Sequence, residues 1–450
     1  MKRVITLIFL SALLFSQEAI AVEFDPWLQG GLRARDLNHR PGTTDLASND
    51  VFAELRLAAK AQLNSNWSYF VDIRGRLNSE DTTLTDDITD TERDGSNDDI
   101  AAAELRELWI RYHGITNLPG EHLTLGLQRF REDSGLWWDE DVEAIAWQGD
   151  TTRLDWLLAF GKQLDSYRTD ADLTQRDSDT RRLLSQLSWD WLPYHAASLR
   201  YVTADQAIDS SPVSVLPAAG FNNQLTWVSF TAESEWTERR YPSNWAYRFE
   251  WTKLTGDGLL PSDPSDPSSP ATKKDIKADA IDLGIRYDLS SKRASFGLTY
   301  ARGSGGESSN KSESFSQTGI HTNRGRFFGT RQLLYRFNEA LRADLTNLEQ
   351  TAAFVSYQLT ERIQGTFMYG RYRKVDSRSP IYVGGLPVDN NPNESDVGVG
   401  VDLNITYYPP KRWYVPVNLF RLRAGHFSPG NGLSDQESDY RITIEAQVRY

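Results

Sequence analysis

The sequence predicts an all-β chain, a single-chain transmembrane β-barrel of about eighteen antiparallel strands, and three observations predict it. Apolar and polar residues alternate with a period of two in segment after segment. The connections between those segments are alternately short and long. The chain runs out on one such segment, tipped by the aromatic Tyr450. Period-two alternation gives a strand one apolar and one polar face. A soluble sandwich of sheets alternates as well, with its apolar face inward. The connection pattern and the terminal strand favour the opposite arrangement, apolar face to lipid and polar face to a water-filled lumen.

The first element is an export signal. Lys2 and Arg3 precede an apolar stretch, residues 4–15, and Ala19-Ile20-Ala21 supplies a small-x-small cleavage site. That stretch is too short to span a bilayer, and no later apolar run approaches the roughly 18–20 residues of a spanning helix. Residues 1–21 are therefore expected to be a cleaved secretory signal peptide, and residues 22–450 the barrel. The absence of cysteine excludes a lipid-anchored N-terminus, a disulfide framework and thiolate-bound metal.

Candidate strands start near residues 27, 51, 67, 102, 122, 141, 153, 182, 196, 223, 244, 279, 294, 347, 362, 396, 416 and 439. Trp245, Tyr247, Phe249 and Trp251 alternate with Ala246, Arg248, Glu250 and Thr252; Ile442, Ile444, Ala446 and Val448 alternate with Arg441, Thr443, Glu445 and Gln447. Aromatics gather near strand ends, as at Trp67, Tyr69, Tyr407 and Tyr408, where interfacial girdles need them. Only segments 122–130 and 223–234 alternate poorly. Tight links follow the even-numbered strands, at Ser65-Asn66, Pro193-Tyr194 and Thr360-Glu361. Longer loops follow the odd-numbered ones, at 80–101, 164–181, 206–222, 255–278, 304–346 and 376–395. An even count with short periplasmic turns and long extracellular loops is the outer-membrane pattern.

Three loops stand out. Residues 80–101 hold nine acidic side chains against Arg93 alone; Ala101 stands where a calcium loop needs its bidentate glutamate, so an EF-hand site is excluded and a solvated acidic loop is expected, with divalent-ion binding or gating as the alternative. Residues 261–270 (PSDPSDPSSP) are low-complexity. Residues 304–346 are Gly/Ser-rich, then Arg-rich (Arg324, Arg326, Arg331, Arg336, Arg342), and are expected to fold inward and narrow the lumen.

The formal charge of −13, averaged over the chain, makes no claim on nucleic acid or any other polyanion. Yet 38 of the 49 basic residues are arginine, the side chain that grips a planar carboxylate through two parallel hydrogen bonds. Alternation sets Glu54, Arg56 and Lys60 opposite Leu55 and Leu57, puts Asp72, Arg74 and Arg76 on one face, and leaves Arg421 and Arg423 opposite Phe420, Leu422 and Ala424. A lysine or arginine facing lipid at the bilayer midplane costs about 2–4 kcal/mol, so these charges point inward. Rings of them select anions, while part of the set pairs with lumen carboxylates and stiffens the wall. Two strands break parity. Arg129 and Arg131 share the face of Leu123, Leu125 and Leu127, so that strand must bulge or leave the wall around residues 126–129. Arg106 has the parity of Leu108 and Ile110, whereas Glu107 and Arg111 lie with Trp109. Register breaks that re-aim charge are often functional.

These same residues carry a resemblance. Residues 104–112 (ELRELWIRY), 119–138 (PGEHLTLGLQRFREDSGLWW), 167–170 (YRTD), 300–306 (YARGSGG), 329–350 (GTRQLLYRFNEALRADLTNLEQ) and 427–430 (FSPG) resemble the alginate-export porin family, over nearly the whole mature chain. The resemblance implies an eighteen-stranded outer-membrane barrel that passes an anionic polyuronate through a constricted, arginine-rich lumen. It implies Arg56, Arg106, Arg129, Arg342, Arg421 and Arg423 as lumen arginines, accompanied by the carboxylates of Glu107, Asp139 and Asp170. Leu127 and Leu333 depart from the family pattern, which often has arginine there, and the turn 409–416 is shorter than the family's periplasmic plug segment.

The expected function is an anion-selective porin conducting alginate or polymannuronate from periplasm to cell exterior, with Arg74 and Arg131 completing the lumen set. The expected partners are outer-membrane lipid and periplasmic alginate-assembly proteins, the expected state is a monomer, and no cofactor is implied. A second reading is a general anion porin for uptake of small anions or oligouronides. An enzyme is disfavoured: the six histidines show no H-E-x-x-H pattern and no Gly-x-Ser-x-Gly accompanies them.

Overall fold

The computed structural model describes residues 21–39, 47–79, 101–116, 118, 120–169, 173, 178, 180–206, 221–234, 244–261, 271–289, 293–308, 310–326, 330, 332–410 and 417–449. The expected signal peptide, the acidic loop 80–101 and the Pro/Ser tract fall outside these residues, save at their margins.

Eighteen strands form one closed antiparallel barrel. The first nine are β1 (Ala21–Asp36), β2 (Ala47–Gln62), β3 (Trp67–Asn78), β4 (Ala101–His113), β5 (His122–Arg131), β6 (Asp139–Asp150), β7 (Leu154–Lys162), β8 (Thr180–Leu192) and β9 (His195–Gln206). The others are β10 (Phe221–Ser234), β11 (Trp245–Pro261), β12 (Ala271–Asp288), β13 (Ala294–Gly303), β14 (Leu348–Thr360), β15 (Ile363–Lys374), β16 (Asp396–Tyr407), β17 (Val417–Pro429) and β18 (Asp439–Arg449). Each pairs with the next, and β18 closes on β1 in a ladder from Trp27↔Arg449 to Asp36↔Tyr440. Short turns lie at the end where β1 starts and β18 finishes, the periplasmic end of such barrels.

The alternation read from the sequence sorts the two faces. Leu158, Phe160, Trp245 and Trp251 stand outward and exposed, whereas Arg248, Glu250 and Asp282 stand inward and buried. The residues expected as loop 255–278 instead continue the β11–β12 ladder as far as Pro261↔Ala271. Alternation persists there: Lys274, Ile276 and Ala278 all turn inward and are buried.

Much of the inward face is covered because the chain folds back into the lumen. The described residues of 304–347 fold into the lumen, with Phe315 and Phe337 fully enclosed. Wall side chains hold this plug from several directions. Trp227 Nε1 of β10 donates to Ser316 O at 2.7 Å, and Arg336 Nη2 of the plug donates to Asp282 Oδ1 of β12 at 2.7 Å. Gln332 Nε2 reaches Thr406 Oγ1 of β16 at 2.8 Å. The contact with the plug explains why 223–234 alternates poorly: an inward Trp227 is satisfied when the lumen is filled by protein. The connection 132–138 also turns inward, and Trp137 and Trp138 flank the Arg200 guanidinium at 4.9 and 5.0 Å from their ring centres.

Candidate functional site

Two irregularities in neighbouring strands aim the charge. On the β3–β4 ladder, Asp72 pairs with Glu107 and Ile73 with Leu105, so Arg106 is the extra residue of a bulge. The bulge frees Arg106 from the parity of Leu108, which faces the other way. On β5, pairing with β4 stops at Leu108↔Leu127, next to Gly126, whose φ is +127°. Only glycine adopts that backbone readily, and a Cβ there would meet Leu108 O. Beyond the kink, β5 pairs with β6 alone, up to Arg131↔Asp139. The vacated edge of β4 is taken by residues 167–169, with Leu105 N donating to Tyr167 O and Thr169 N to Ala103 O, both at 3.0 Å. The kink leaves Leu127 buried and swings Arg129 and Arg131 into the lumen.

These arginines share one cavity of about 340 Å³ with Arg33, Arg56, Arg74, Arg76, Arg106, Arg324, Arg421 and Arg423. Glu54 and Asp139 are the carboxylates on its lining. The other partners sit behind the guanidiniums. Arg56 Nε donates to both oxygens of Asp72, at 2.8 and 2.7 Å, and the Asp72 side chain is wholly enclosed. Arg74 Nε holds Glu104 at 2.8 Å, Arg421 Nη1 holds Glu445 at 2.7 Å, and Arg106 Nε lies 3.5 Å from Asp141. Arg129 grips Asp139 through Nε at 2.9 Å and Nη2 at 2.6 Å. Carboxylates buried behind guanidiniums fix the arginines in place, while the lumen itself meets mostly positive charge.

Of the residues anticipated from sequence, Arg56, Arg74, Arg106, Arg129, Arg131, Asp139, Arg421 and Arg423 line this cavity. Glu107 lies beside it, accepting from Trp109 Nε1 at 3.1 Å and from Arg129 N at 3.4 Å. Arg342 belongs elsewhere. It is buried within the plug, donating from Nη2 to Glu339 at 2.9 Å and stacking over Tyr335 at 3.9 Å. The local turn explains its burial: Asn338 Oδ1 accepts Ala340 N and Leu341 N, both at 3.0 Å, so the chain folds back and tucks the next side chain inside. Asp170 lies outside the described residues. Arg76, read from its alternation as pointing inward, and Arg324, on the loop expected to fold inward, also line it, although neither was counted in the lumen set; Arg33, within reach of the same alternation, was not anticipated. Leu333 supplies an apolar break in the cationic lining.

A closed, even-stranded barrel with an apolar belt outside and a plugged cationic lumen is an outer-membrane porin. The solved structure of the Pseudomonas aeruginosa outer membrane protein OpdK shares the fold, with a TM-score of 0.58 over 96% of this chain and 99% of that one, at 10% identity. Acinetobacter baumannii OccAB1 gives 0.59 over 96% and 97%, at 9% identity. More specifically, the chain belongs to the alginate export family, whose model matches residues 28–446. It is 35% identical over 420 residues to the alginate production protein AlgE of Pseudomonas aeruginosa, covering 88% of this chain and 84% of that protein. To AlgE of Pseudomonas syringae pv. tomato it is 30% identical over 462 residues, covering 92% and 91%.

Proposed function

We propose that this outer-membrane porin is an anion-selective conduit that carries alginate from the periplasm to the cell exterior. The arginine cavity supports the reading: ten guanidiniums face one space, and most of their carboxylate partners lie behind them. A uronate carboxylate entering the cavity exchanges its water for guanidinium hydrogen bonds. Because nine of the ten arginines already hold a carboxylate, and Arg324 lies over Tyr335, few sites grip hard, and weak sites in series let a polymer advance. The chain works as a monomer, without cofactor or catalytic step, and receives polymer from periplasmic assembly proteins.

Planar-bilayer recording tests this. Anion selectivity with concentration-dependent block by polymannuronate is expected; cation selectivity, or no block at any concentration, overturns it. A second reading, uptake of small anions or oligouronides, draws on the plug, which leaves a cavity nearer in size to a short oligomer than to a polymer. Polymer secretion by cells whose own export porin is deleted separates the two.

A further inference from the structure

We infer that Trp27 and Arg56 together form a uronosyl-stacking subsite at the periplasmic end of the arginine cavity, which lets the pore distinguish a polyuronate from other polyanions. The inference rests on the conduit reading and deepens it.

The placement comes from register. Trp27 pairs across one strand boundary with Arg56 of β2 and across the other with Arg449, the last residue of β18. It therefore sits where the closing strand ends, at the periplasmic mouth. Its neighbours Phe24, Leu28 and Leu32 face outward, 59%, 45% and 55% exposed, while Arg33 and Arg35 on the other parity are buried inside. Trp27 thus faces the lumen, and it lines the arginine cavity.

A tryptophan in this position is unusual for the molecule. Trp67, Trp147, Trp189, Trp191 and Trp245 are exposed on the barrel's surface near the short-turn end, as a lipid-interface girdle requires. The inward Trp109 and Trp227 are covered: Trp109 stacks on Phe70 at 5.2 Å with Arg111 over it at 4.3 Å, and Trp227 is held by Ser316. Phe52, the other aromatic of the cavity lining, lies under Arg33 at 5.2 Å. Among the described residues the Trp27 side chain has no hydrogen bond, ring contact or guanidinium contact. A structural role would leave it packed; it is half-buried with its side chain on the cavity instead.

The chemistry suits one ligand class. A pyranose ring offers a face of C–H groups, and an indole offers a flat, electron-rich surface to match it. A uronate carries its carboxylate at the ring edge. On an adjacent strand about 4.8 Å away, Arg56 is locked by Asp72 yet keeps 28% of its side chain exposed. A sugar acid satisfies both groups at once. A polyanion without sugar rings satisfies only Arg56, and a neutral glycan only Trp27.

The test compares block of the purified porin in planar bilayers by oligomannuronate and by oligoacrylate of equal charge. W27L and W27A should weaken block by oligomannuronate about 3- to 10-fold, the range expected for one aromatic contact, and W27F should restore most of it. The ratio of uronate to acrylate block should therefore fall in W27L and recover in W27F, whereas R56Q should weaken both blockers. W27L retains apolar bulk, so it reports on stacking even if W27A fails to assemble. An unchanged ratio in W27L, with R56Q still weakened, overturns the subsite and leaves the conduit reading intact. Equal loss in W27F and W27L overturns it too, since bulk and not the aromatic face would then matter. A wild-type pore that neither oligomer blocks overturns the conduit reading and the subsite with it.

Discussion

Arg423 of β17 and Glu339 of the plug form an ion pair across the lumen, Nη1 to Oε1 at 3.3 Å, though 84 residues separate them. The same carboxylate oxygen accepts Arg342 Nη2 at 2.9 Å, and Arg423 Nη2 reaches Glu445 of β18 at 3.4 Å. The plug is thereby tied to the wall close to the strand pair that closes the barrel.

This tie makes plug docking pH-dependent. Burial pushes the Glu339 carboxyl up, but the guanidiniums of Arg423 and Arg342 outweigh it and hold the group below its ordinary value of 4.5. A depressed carboxyl contributes its stabilisation in full above the ordinary value, and the contribution is lost as pH falls through the depressed one. Single-channel current should become noisier and larger as pH drops below 4.5. Glu339→Gln should show that behaviour at pH 7. Removing the carboxylate with Glu339→Ala should cost plug docking about 3–5 kcal/mol, the usual penalty for stranding a buried partner. Quiet channels in both variants would refute the tie.

Charge reversal should separate the cavity from its support. Arg129→Glu places a carboxylate next to Asp139 on the lining and should shift the reversal potential in a salt gradient toward cations. Arg342→Gln, buried on Glu339, should leave anion preference nearly unchanged and raise current fluctuation instead. The opposite pattern would put the selective arginine in the plug.

Gly126→Ala should be costly out of proportion to its size. Its φ of +127° and the closeness of Leu108 O leave no room for a methyl group. A loss of about 1–3 kcal/mol in urea unfolding from lipid vesicles is expected, the range for a residue forced into such a backbone. Because the kink also aims Arg129 and Arg131, anion preference should fall with stability. Wild-type values for both would show that the kink is dispensable.

At the outer rim, Lys374 fastens two loops. Its ammonium is buried and donates to Ser377 O at 2.8 Å, Asn391 O at 2.9 Å and Gly432 O at 3.1 Å, and to Asn390. Lys374→Met should leave those acceptors unsatisfied and free the 375–395 loop. Protease added to intact cells should cut there several-fold faster than in wild type, by the roughly 1–3 kcal/mol such unmet groups cost. Equal cutting would mean the loop is held by other contacts.

The wall was legible in the sequence because a strand's two-residue period is local: Leu158 and Phe160 reveal their face without knowledge of any partner. Even the exceptions were legible, since Arg106, Arg129 and Arg131 could not face lipid and the chain had to bend to accommodate them. The plug was harder. That residues 304–346 turn inward could be anticipated from their length and charge, but Arg342 and Arg324 look alike in sequence. One is tucked beneath a turn set by Asn338 and the other is left on the cavity, a difference decided by tertiary packing. Trp227 shows the converse effect, an alternation blurred because its lumen face meets protein where water was expected.

The ladder from Trp27 to Asp36 against Tyr440 to Arg449 joins the first strand to the last. No shorter stretch of chain can supply the missing edge, so a nascent polypeptide lacking β18 has no leak-proof half-way form: until its final strand arrives, β1 remains an open template for the wrong neighbour. Until that ladder forms, β1 keeps a row of unpaired backbone donors and acceptors along its whole outer edge, the kind of edge on which sheets mispair.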